Sequence, residues 1–474
     1  MTEYLIVGNG IAGVRAAETL RAHDLTGRIT IVCDERGPAY SRVLLPHVLS
    51  GEMPEERLFL RDEEWYAAQR IDLVEGDAAV ALRLACDLIS PPLPPSPHTE
   101  RGEPQRTVPN QRSRGEVGPR VLLASGREIP YDRLLVATGG TPAFPPIKGL
   151  RADQGNLVGR VFGFRSLADV RGILEAKDAR RALVIGAGPI GLLAADALLA
   201  RGLAVTVVEM LPQVLPQMLD APAAEMVERA AKARGVEIIT GARVVEVLSR
   251  EGRVASVVLT DGRKLPCDLL LVATGVIPNL TWLRETGIQM GRGLVVDEYM
   301  HTSLPNVWAA GDVCETRDCV TDYCVLNALW PGASEQGRIA ALNMVGVPTR
   351  YGGSLAMNSA TFFGLSSRPS YSHGREGLPC IGIGLTSGDS DLVDDRREAG
   401  IYRRAFFLGE RLVGVVLVGD VQGAGVYLSL MKRRVPVQPS AATFWNVNYG
   451  IAMGMGKDDG YLMLGPKSPI GLRR

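Results

Sequence analysis

The fold is decided by the stretch "LVIGAGPIGLLAADALLARGLAVTVVEM", which runs from Leu183 to Met210. An apolar strand leads into a turn with glycines at 186, 188 and 191, and an apolar helix pattern follows. In such a unit the first glycine permits a tight turn, the second lets the backbone approach a pyrophosphate, and the third lets the helix pack on the strand. The helix N-terminus offers free N–H groups and a positive dipole end to phosphates, and Pro189 suits its first position. Glu209, 18 residues after the third glycine, stands near the spacing of about 20 expected for a ribose-binding acid. The stretch therefore predicts a dinucleotide-binding unit.

A second unit of the same kind opens the chain. In "LIVGNGIAGVRAAETLRAHDLTGRITIVCDE", from Leu5, an apolar strand precedes glycines at 8, 10 and 13, and the acidic pair Asp34 and Glu35 begins 21 residues after the last glycine. A further repeat follows each unit, since "SGREIPYDRLLVATGGTP" from Ser125 matches "DGRKLPCDLLLVATGVIP" from Asp261 nearly residue for residue. We therefore predict an α/β fold that contains two Rossmann-like dinucleotide-binding domains.

The first copy is longer than the second, and its added segments suggest how the cofactors are divided. "PAYSRVLLPHVLSGE", residues 38–52, would enclose a cofactor that stays bound through many turnovers, which favours FAD in the first copy. A nicotinamide cofactor must come and go, so NAD(H) is assigned to the second copy. The Pro- and Arg-rich segment 90–119 lacks apolar periodicity and is predicted to be a mobile surface insertion, while a docking role for its arginines stays open.

The chain later returns to the strand pattern in "HTSLPNVWAAGD", which ends at Asp312 and would supply a carboxylate to the ribityl chain of FAD. An FAD domain interrupted by a nicotinamide domain accounts for this order. We predict an FAD-binding domain of residues 1–150 and 287–345, an NAD-binding domain of residues 151–286, and a C-terminal α+β interface domain of residues 346–474.

Composition excludes several classes of protein. The chain has 474 residues, 46% hydrophobic and 22% charged, which is enough for two or three globular domains with full cores. Lys and Arg together number 52, as do Asp and Glu, so no basic field is expected to draw nucleic acid or an anionic membrane. No apolar stretch is long enough to span a bilayer, and the first strand begins too early to leave room for a signal peptide. We expect a cytoplasmic protein with no nucleic-acid or membrane partner.

The seven cysteines suit a reducing compartment rather than a disulfide scaffold. Cys314, Cys319 and Cys324 are equally spaced, but iron–sulfur and zinc sites use tighter spacings and four ligands. Unligated thiols are the favoured interpretation, and a cluster is the alternative. The five histidines are scattered along the chain, so no metal site is predicted.

Over residues 1–345 the chain resembles the flavoproteins known as pyridine nucleotide-disulfide oxidoreductases. The resemblance is carried by both glycine turns, both "VATG" strands, "AAGD" at 309–312 and "WPGASEQGRIAALNM" at 330–344. The motifs and the resemblance together assign FAD to Gly8, Gly10, Ala12, Gly13, Asp34, Glu35, Arg42, Ala79, Thr138, Gly139, Arg165, Gly311, Asp312, Trp330 and Pro331. They assign NAD(H) to Gly186, Gly188, Pro189, Ile190, Gly191, Glu209 and Gly275.

Within that family, "YSRVLLPHVLSGE" is similar to the branch of NADH:rubredoxin reductases, ferredoxin reductases and the flavin part of nitrite reductases. Disulfide reductases and NADH peroxidases of the family carry a redox-active cysteine near the flavin, but residues 34–76 contain none, and Val43 stands at that position. The resemblance therefore implies an FAD-dependent NADH:acceptor oxidoreductase. Its partner would be a small redox protein or an iron–sulfur subunit, in an oligomer or larger complex, with electrons moving in either direction.

No catalytic side chain is predicted, because the flavin carries the chemistry. NADH is expected over NADPH, since Glu209 would repel a 2′-phosphate and the next residues, Met210 and Leu211, offer no arginine to bind one. Many relatives carry glutamate near the nicotinamide where this chain has Leu193. A non-catalytic NADH-binding flavoprotein and an NADH oxidase are the alternatives.

From residue 346 onward the dinucleotide pattern stops. "GIYRRAFFLGERLVGVVLVGD", Gly400 to Asp420, predicts two strands joined by a turn at 408–411, with a short helix after them. It resembles the C-terminal domain of NADH:rubredoxin reductases. The tail from Thr443 to Pro466 mixes aromatic residues, Met and Gly without a clear period, so it could wrap a partner or pack on its own domain.

Overall fold

The first copy of the repeat begins with the expected strand, helix and strand. The structure, a computed structural model, describes residues 1–84, 118–365, 376–437 and 444–445. The copy consists of β1 (Glu3–Val7), α1 (Ile11–His23), β2 (Arg28–Val32), α2 (Leu45–Ser50), α3 (Glu63–Ala68), β3 (Ile71–Val74), β4 (Ala79–Arg83), β5 (Arg120–Leu123), β6 (Glu128–Pro130) and β7 (Arg133–Val136). Strands β1, β2 and β7 are apolar runs buried on both faces, as expected for a parallel sheet that is covered on both sides.

The second copy repeats this order. A connecting segment contains β8 (Gly140–Pro142), β9 (Val161–Phe162) and α4 (Leu167–Glu175). The copy then consists of β10 (Arg181–Ile185), α5 (Pro189–Ala200), β11 (Ala204–Val208), α6 (Ala221–Ala233), β12 (Glu237–Ile239), β13 (Val244–Arg250), β14 (Arg253–Leu259), β15 (Lys264–Pro266) and β16 (Leu269–Val272). In both copies an antiparallel meander, β4–β6 or β13–β15, directly precedes a parallel strand, β7 or β16. The predicted duplication is confirmed.

The chain then returns to the first copy. This segment consists of β17 (Val276–Pro278), β18 (Leu294–Val295), β19 (Val307–Ala309), β20 (Cys314–Arg317), β21 (Cys324–Val325) and α7 (Trp330–Met344). Strand β19 pairs in parallel with β7 and completes the first sheet, whose order is β19-β7-β1-β2-β3. The second sheet has the order β12-β11-β10-β16-β9. The interrupted α/β fold is therefore present as predicted, and the exact domain boundaries stay predictions.

The two copies meet where their "VATG" strands end. Strands β8 and β17 pair antiparallel, and the hydrogen bonds on the two sides match. Asn279 N–H donates to the carbonyl of Gly139 at 3.0 Å, and Ala143 N–H donates to that of Gly275 at 2.9 Å. The hydroxyl of Thr138 donates to the carbonyl of Asn279 at 3.1 Å, as that of Thr274 does to Ala143 at 2.6 Å. We call this pairing of residues 138–143 with 274–279 the reciprocal joint.

The C-terminal region is an antiparallel sheet with one helix. Its elements are β22 (Met357–Leu365), β23 (Glu376–Gly384), β24 (Ser390–Arg396), β25 (Ile401–Leu408), β26 (Arg411–Val418) and α8 (Ala424–Arg433), and the sheet order is β22-β23-β26-β25-β24. The predicted hairpin with a turn at 408–411 and the helix after it are both present. The sheet shares one apolar core with α5 and α6. Polar contacts reinforce this seam, because Asp220 accepts hydrogen bonds from Tyr402 at 2.6 Å and Arg404 at 3.0 Å.

Most of the insertion at 90–119 and most of the tail after residue 440 lie outside the described residues, so their predicted roles stay predictions. Phe444 and Trp445 are described. The side chain of Phe444 is fully buried and stacks on Tyr427, with 5.1 Å between ring centroids. At this point the chain packs on its own domain. No helix among the described residues is both long and apolar enough to cross a bilayer.

Candidate cofactor sites

The glycine turn of the first copy is shaped by three different requirements. Gly8 has φ +122°, and a Cβ there would overlap the carbonyl oxygen of Ala137. A Cβ on Gly13 would overlap the carbonyl oxygen of Gly8, so this position keeps α1 against the turn. Around Gly10, in contrast, a Cβ would meet nothing within 4 Å. The second glycine therefore leaves an open approach to the N-terminus of α1, where the residues present fit a pyrophosphate.

The turn of the second copy follows the same pattern. Gly186 has φ +103°, and a Cβ there would lie 2.5 Å from the carbonyl oxygen of Ala273. A Cβ on Gly191 would overlap the carbonyl oxygen of Gly186, whereas one on Gly188 would meet nothing within 4 Å. Pro189 begins α5, as predicted, and the next residue, Ile190, is 44% exposed. The predicted residues of both turns are thus brought together as two equivalent open approaches.

The acids at the strand ends are not equivalent. Gly8 N–H donates to the carbonyl of Val32 at 2.8 Å, and Gly186 N–H donates to that of Val208 at 2.8 Å. These matched bonds make Cys33 the structural counterpart of Glu209. The buried carboxylate of Glu209 accepts hydrogen bonds from Ala187 N–H at 2.8 Å and Leu211 N–H at 2.9 Å, and so braces its turn.

In the first copy, the two candidate acids have different surroundings. Glu35 forms an ion pair with Arg42, and the hydroxyl of Tyr40 donates to it at 2.5 Å. Asp34 is exposed, and its carboxylate has no hydrogen-bond partner among the described residues. Burial, together with the negative charge of Asp34, raises the pKa of the Cys33 thiol to about 12, so this thiol stays protonated at neutral pH. Of the two acids, Asp34 is the exposed one, and its role toward a ribose stays a prediction.

Three predicted FAD residues from distant parts of the chain come together in one network. Arg165 donates from Nη2 to Asp312 at 2.6 Å and from Nε to the carbonyl of Gly140 at 2.5 Å. Arg42 donates to the carbonyl of Arg165 at 2.8 Å. The Arg165 backbone is held by the carboxylate of Asp169, which also completes the capping box at the start of α4. The network therefore joins Arg42, near the start of the first copy, and Asp312, in its returning segment, to Arg165 in the connecting segment.

The start of α7 lies beside the first turn. Trp330 opens the helix and Pro331 occupies its first turn, as predicted. The buried side chain of Gln336, which the sequence analysis did not select, accepts a hydrogen bond from Gly311 N–H at 2.8 Å. A Cβ on Gly337 would overlap the carbonyl oxygen of Ala12, so α7 and α1 pack with their backbones in close approach.

The last residues to place are Ala79, which the sequence assigns to FAD, and Asn279, which it does not select. Ala79 begins β4 and pairs with Leu123, and two residues before it Asp77 N–H donates to the carbonyl of Cys33 at 3.1 Å. Asn279, which the sequence analysis missed, adds a side-chain bond to the carbonyl of Thr138 at 2.9 Å. The signal for Asn279 was the mismatch between "VIPN" and "GTPA" in otherwise matching repeats.

The evenly spaced cysteines do not form a ligand set. Cys314 and Cys319 are buried and Cys324 is exposed. Burial raises the pKa of the Cys314 thiol well above its usual value. Within the described ranges, no group of three or more His, Cys, Asp or Glu side chains is arranged to hold a metal ion.

The sequence relationships agree with this geometry. A family model described as "Pyridine nucleotide-disulphide oxidoreductase" matches residues 2–337. The chain belongs to this family. Among curated relatives, the epsilon subunit of NADH-dependent phenylglyoxylate dehydrogenase from Aromatoleum evansii is 33% identical over 449 residues, which is 94% of each chain. Putidaredoxin reductase CamA from Pseudomonas putida is 32% identical over 355 residues, covering 73% of this chain and 74% of the relative.

The likeness extends to solved structures of the same kind. A crystal structure of the covalent putidaredoxin reductase–putidaredoxin complex aligns with a TM-score of 0.79 and 26% identity over 96% of this chain and 99% of the other. Family membership confirms the predicted class of enzyme, an FAD-dependent NAD(P)H oxidoreductase, and its cofactors, FAD and NAD(H). The individual contact residues stay predictions.

Proposed function

We propose that the protein passes electrons between NADH and a one-electron redox protein, with FAD in the first copy and NADH in the second. The observation that carries the proposal is the pair of equivalent glycine turns, each with an open second glycine, tied together at the reciprocal joint. One pyridine nucleotide site and one flavin site on adjacent domains are what hydride transfer requires.

The residues of the first copy fit FAD. Gly10 and the N-terminus of α1 would take the pyrophosphate, and exposed Asp34 would take the ribose hydroxyls. Arg42 and the Arg165–Asp312 pair would line the remainder of the cofactor, as the family resemblance implies. When bound, FAD accepts two electrons as a hydride and releases them singly. Residues 38–52 and the two parallel sheets would exclude water from this electron transfer.

The residues of the second copy fit NADH. Gly188 and the N-terminus of α5 would take its pyrophosphate. Glu209 is fixed by two backbone N–H groups, so its negative charge stays beside the turn and opposes a 2′-phosphate. Exposed Met210 and Leu211 offer no cation in compensation. The site would therefore select NADH over NADPH.

The chain would deliver its electrons to an external acceptor. Val43 is 52% exposed immediately after Arg42, and residues 34–76 contain no cysteine that could act as an internal acceptor. The names of the relatives support a protein acceptor, since one is a putidaredoxin reductase and another is a subunit of an oxidoreductase complex. We propose a small iron–sulfur protein or an iron–sulfur subunit, with transfer in either direction.

The proposal is tested by purifying the native protein anaerobically together with whatever accompanies it. On rapid mixing with NADH, the flavin absorbance should bleach, and an accompanying iron–sulfur protein should then be reduced at the rate of turnover. Slow bleaching without turnover to protein or dye would instead identify a non-catalytic NADH-binding flavoprotein. Rapid oxygen consumption with no protein acceptor would identify an NADH oxidase, and either result would refute the proposal.

A further inference from the structure

Tyr40 connects the segment of residues 38–52, which is predicted to enclose FAD, to the start of α4. Its side chain is buried, and its ring belongs to the same apolar core as Leu167. The backbone around it is clamped independently, because Ser41 N–H donates to the carbonyl of Leu58 at 2.9 Å and Leu60 N–H donates to that of Ala39 at 2.7 Å. The ring position therefore does not depend on the hydroxyl group.

The hydroxyl of Tyr40 has three partners. It donates to Oε2 of Glu35 at 2.5 Å, and it accepts from Nη1 of Arg42 at 3.1 Å and from Leu167 N–H at 3.0 Å. A phenol has one proton and two lone pairs, and the last two partners can only donate. The proton must therefore point to Glu35. Burial raises the pKa of Tyr40 above its ordinary value, so the hydroxyl keeps this proton at neutral pH.

These contacts fix the guanidinium of Arg42. Both hydrogens on Nη1 are used, by the hydroxyl of Tyr40 and by the carbonyl of Arg165, and Nη2 donates to Glu35. A guanidinium has five N–H groups, so two remain without a partner among the described residues. Because the group is planar, fixing three N–H directions also fixes the remaining two. A planar pair of this kind suits phosphate oxygens.

We propose that Tyr40 is a positioning residue for FAD. Its hydroxyl orients Arg42 so that the two remaining N–H groups serve the FAD phosphates. The bond to Leu167 N–H ties this arrangement to the first turn of α4. The inference rests on the placement of FAD in the first copy under the proposed function.

The test is Tyr40→Phe, which removes the hydroxyl and keeps the ring. FAD should bind the apoprotein about tenfold more weakly, which is the scale of one lost hydrogen bond to a charged group. The visible circular dichroism of the bound flavin should also change. The matched control is Tyr402→Phe, since Tyr402 is also buried and its hydroxyl bonds Asp220 at 2.6 Å, a residue that is assigned to neither cofactor. This control should leave both readouts unchanged.

A double substitution separates positioning from general stability. In an Arg42→Ala background, Tyr40→Phe should weaken FAD binding by less than twofold, because the hydroxyl acts largely through Arg42. If Tyr40→Phe lowers the melting temperature of the apoprotein as Tyr402→Phe does, yet leaves FAD affinity within twofold of wild type, the residue is structural only and the inference is wrong. If the wild-type apoprotein binds no FAD, the proposed function fails as well.

Discussion

Replacing the second glycine of each turn by alanine should separate the two cofactor sites. Gly10 has φ −89° and ψ −172°, and Gly188 has φ −72° and ψ 177°, so alanine is permitted at both positions. A Cβ would meet nothing within 4 Å at either one. The free energy of unfolding of the apoprotein should therefore change by less than about 0.5 kcal/mol in Gly10→Ala and in Gly188→Ala.

The effect on binding should be much larger. The added methyl group would occupy the approach to the helix N-terminus and displace the pyrophosphate from N–H groups that bond it. Losing one such bond to a charged group costs about 1.5–3 kcal/mol, which corresponds to roughly a 10–150-fold weaker complex. Gly10→Ala should lose this much affinity for FAD. Gly188→Ala should lose it for NADH and retain FAD, because effects at separate sites are nearly independent.

Equilibrium titration of the apoprotein with FAD, and of the flavin-loaded protein with NADH, measures both effects, and urea unfolding of each apoprotein measures stability. The third glycines provide the contrast. Gly13→Ala and Gly191→Ala would drive a Cβ into a backbone oxygen and should destabilise the apoprotein by about 1–3 kcal/mol or more. Loss of FAD from Gly188→Ala with NADH binding intact would refute the assignment of the cofactors to the two copies.

Three further predictions follow from single side chains. Glu209→Gln should raise kcat/KM for NADPH relative to NADH by about tenfold or more, and an unchanged ratio would contradict the charge argument. Phe444→Ala empties a fully buried position and should cost about 3–5 kcal/mol in urea unfolding, and an unchanged free energy of unfolding would contradict its packing on Tyr427. Burial opposes ionisation of Asp24, but hydrogen bonds from Gly27 and Thr26 lower its pKa to about 2. Asp24→Asn should therefore destabilise the protein at neutral pH, and the difference from wild type should shrink as the pH falls from about 4 to about 2.

The turns could be predicted because their requirements are local. The backbone at Gly8 and Gly186, with φ +122° and +103°, favours glycine. Gly13 and Gly191 are also required, because a Cβ there would overlap a carbonyl oxygen of the turn. These glycines are therefore visible in the sequence. The strands beside them are buried on both faces and read as continuous apolar runs. The fold class follows from these two features, since their order along the chain repeats.

The position of the acids was harder to predict from spacing. Strand β2 ends 19 residues after Gly13, whereas β11 ends 17 residues after Gly191. Counting from the glycines therefore selects Asp34 in one copy and Glu209 in the other. The count does not show that Asp34 is the second residue after its strand, whereas Glu209 is the first. Only the backbone bonds reveal that Cys33 is the counterpart of Glu209.

The supporting contacts depend on residues that are far apart in sequence. Gln336 lies 25 positions from Gly311, and Leu167 lies 127 positions from Tyr40. A single sequence gives no sign of such pairs, because a buried glutamine or tyrosine has the same letter as an exposed one. Their partners become visible only when the tertiary structure places the two segments together.

The reciprocal joint relates the two glycine turns to each other through the backbone alone. Gly8 abuts Ala137, the residue before Thr138, and Gly186 abuts Ala273, the residue before Thr274. Each cofactor turn therefore rests against a strand end that the joint pairs with its counterpart. Both turns contact residues that lead directly into the paired strands β8 and β17. This backbone pairing therefore sets the orientation of one turn relative to the other. Asn279→Ala, which removes a side-chain bond across the joint at a residue assigned to neither cofactor, should then slow flavin bleaching on rapid mixing with NADH while leaving the separate affinities for FAD and NADH unchanged.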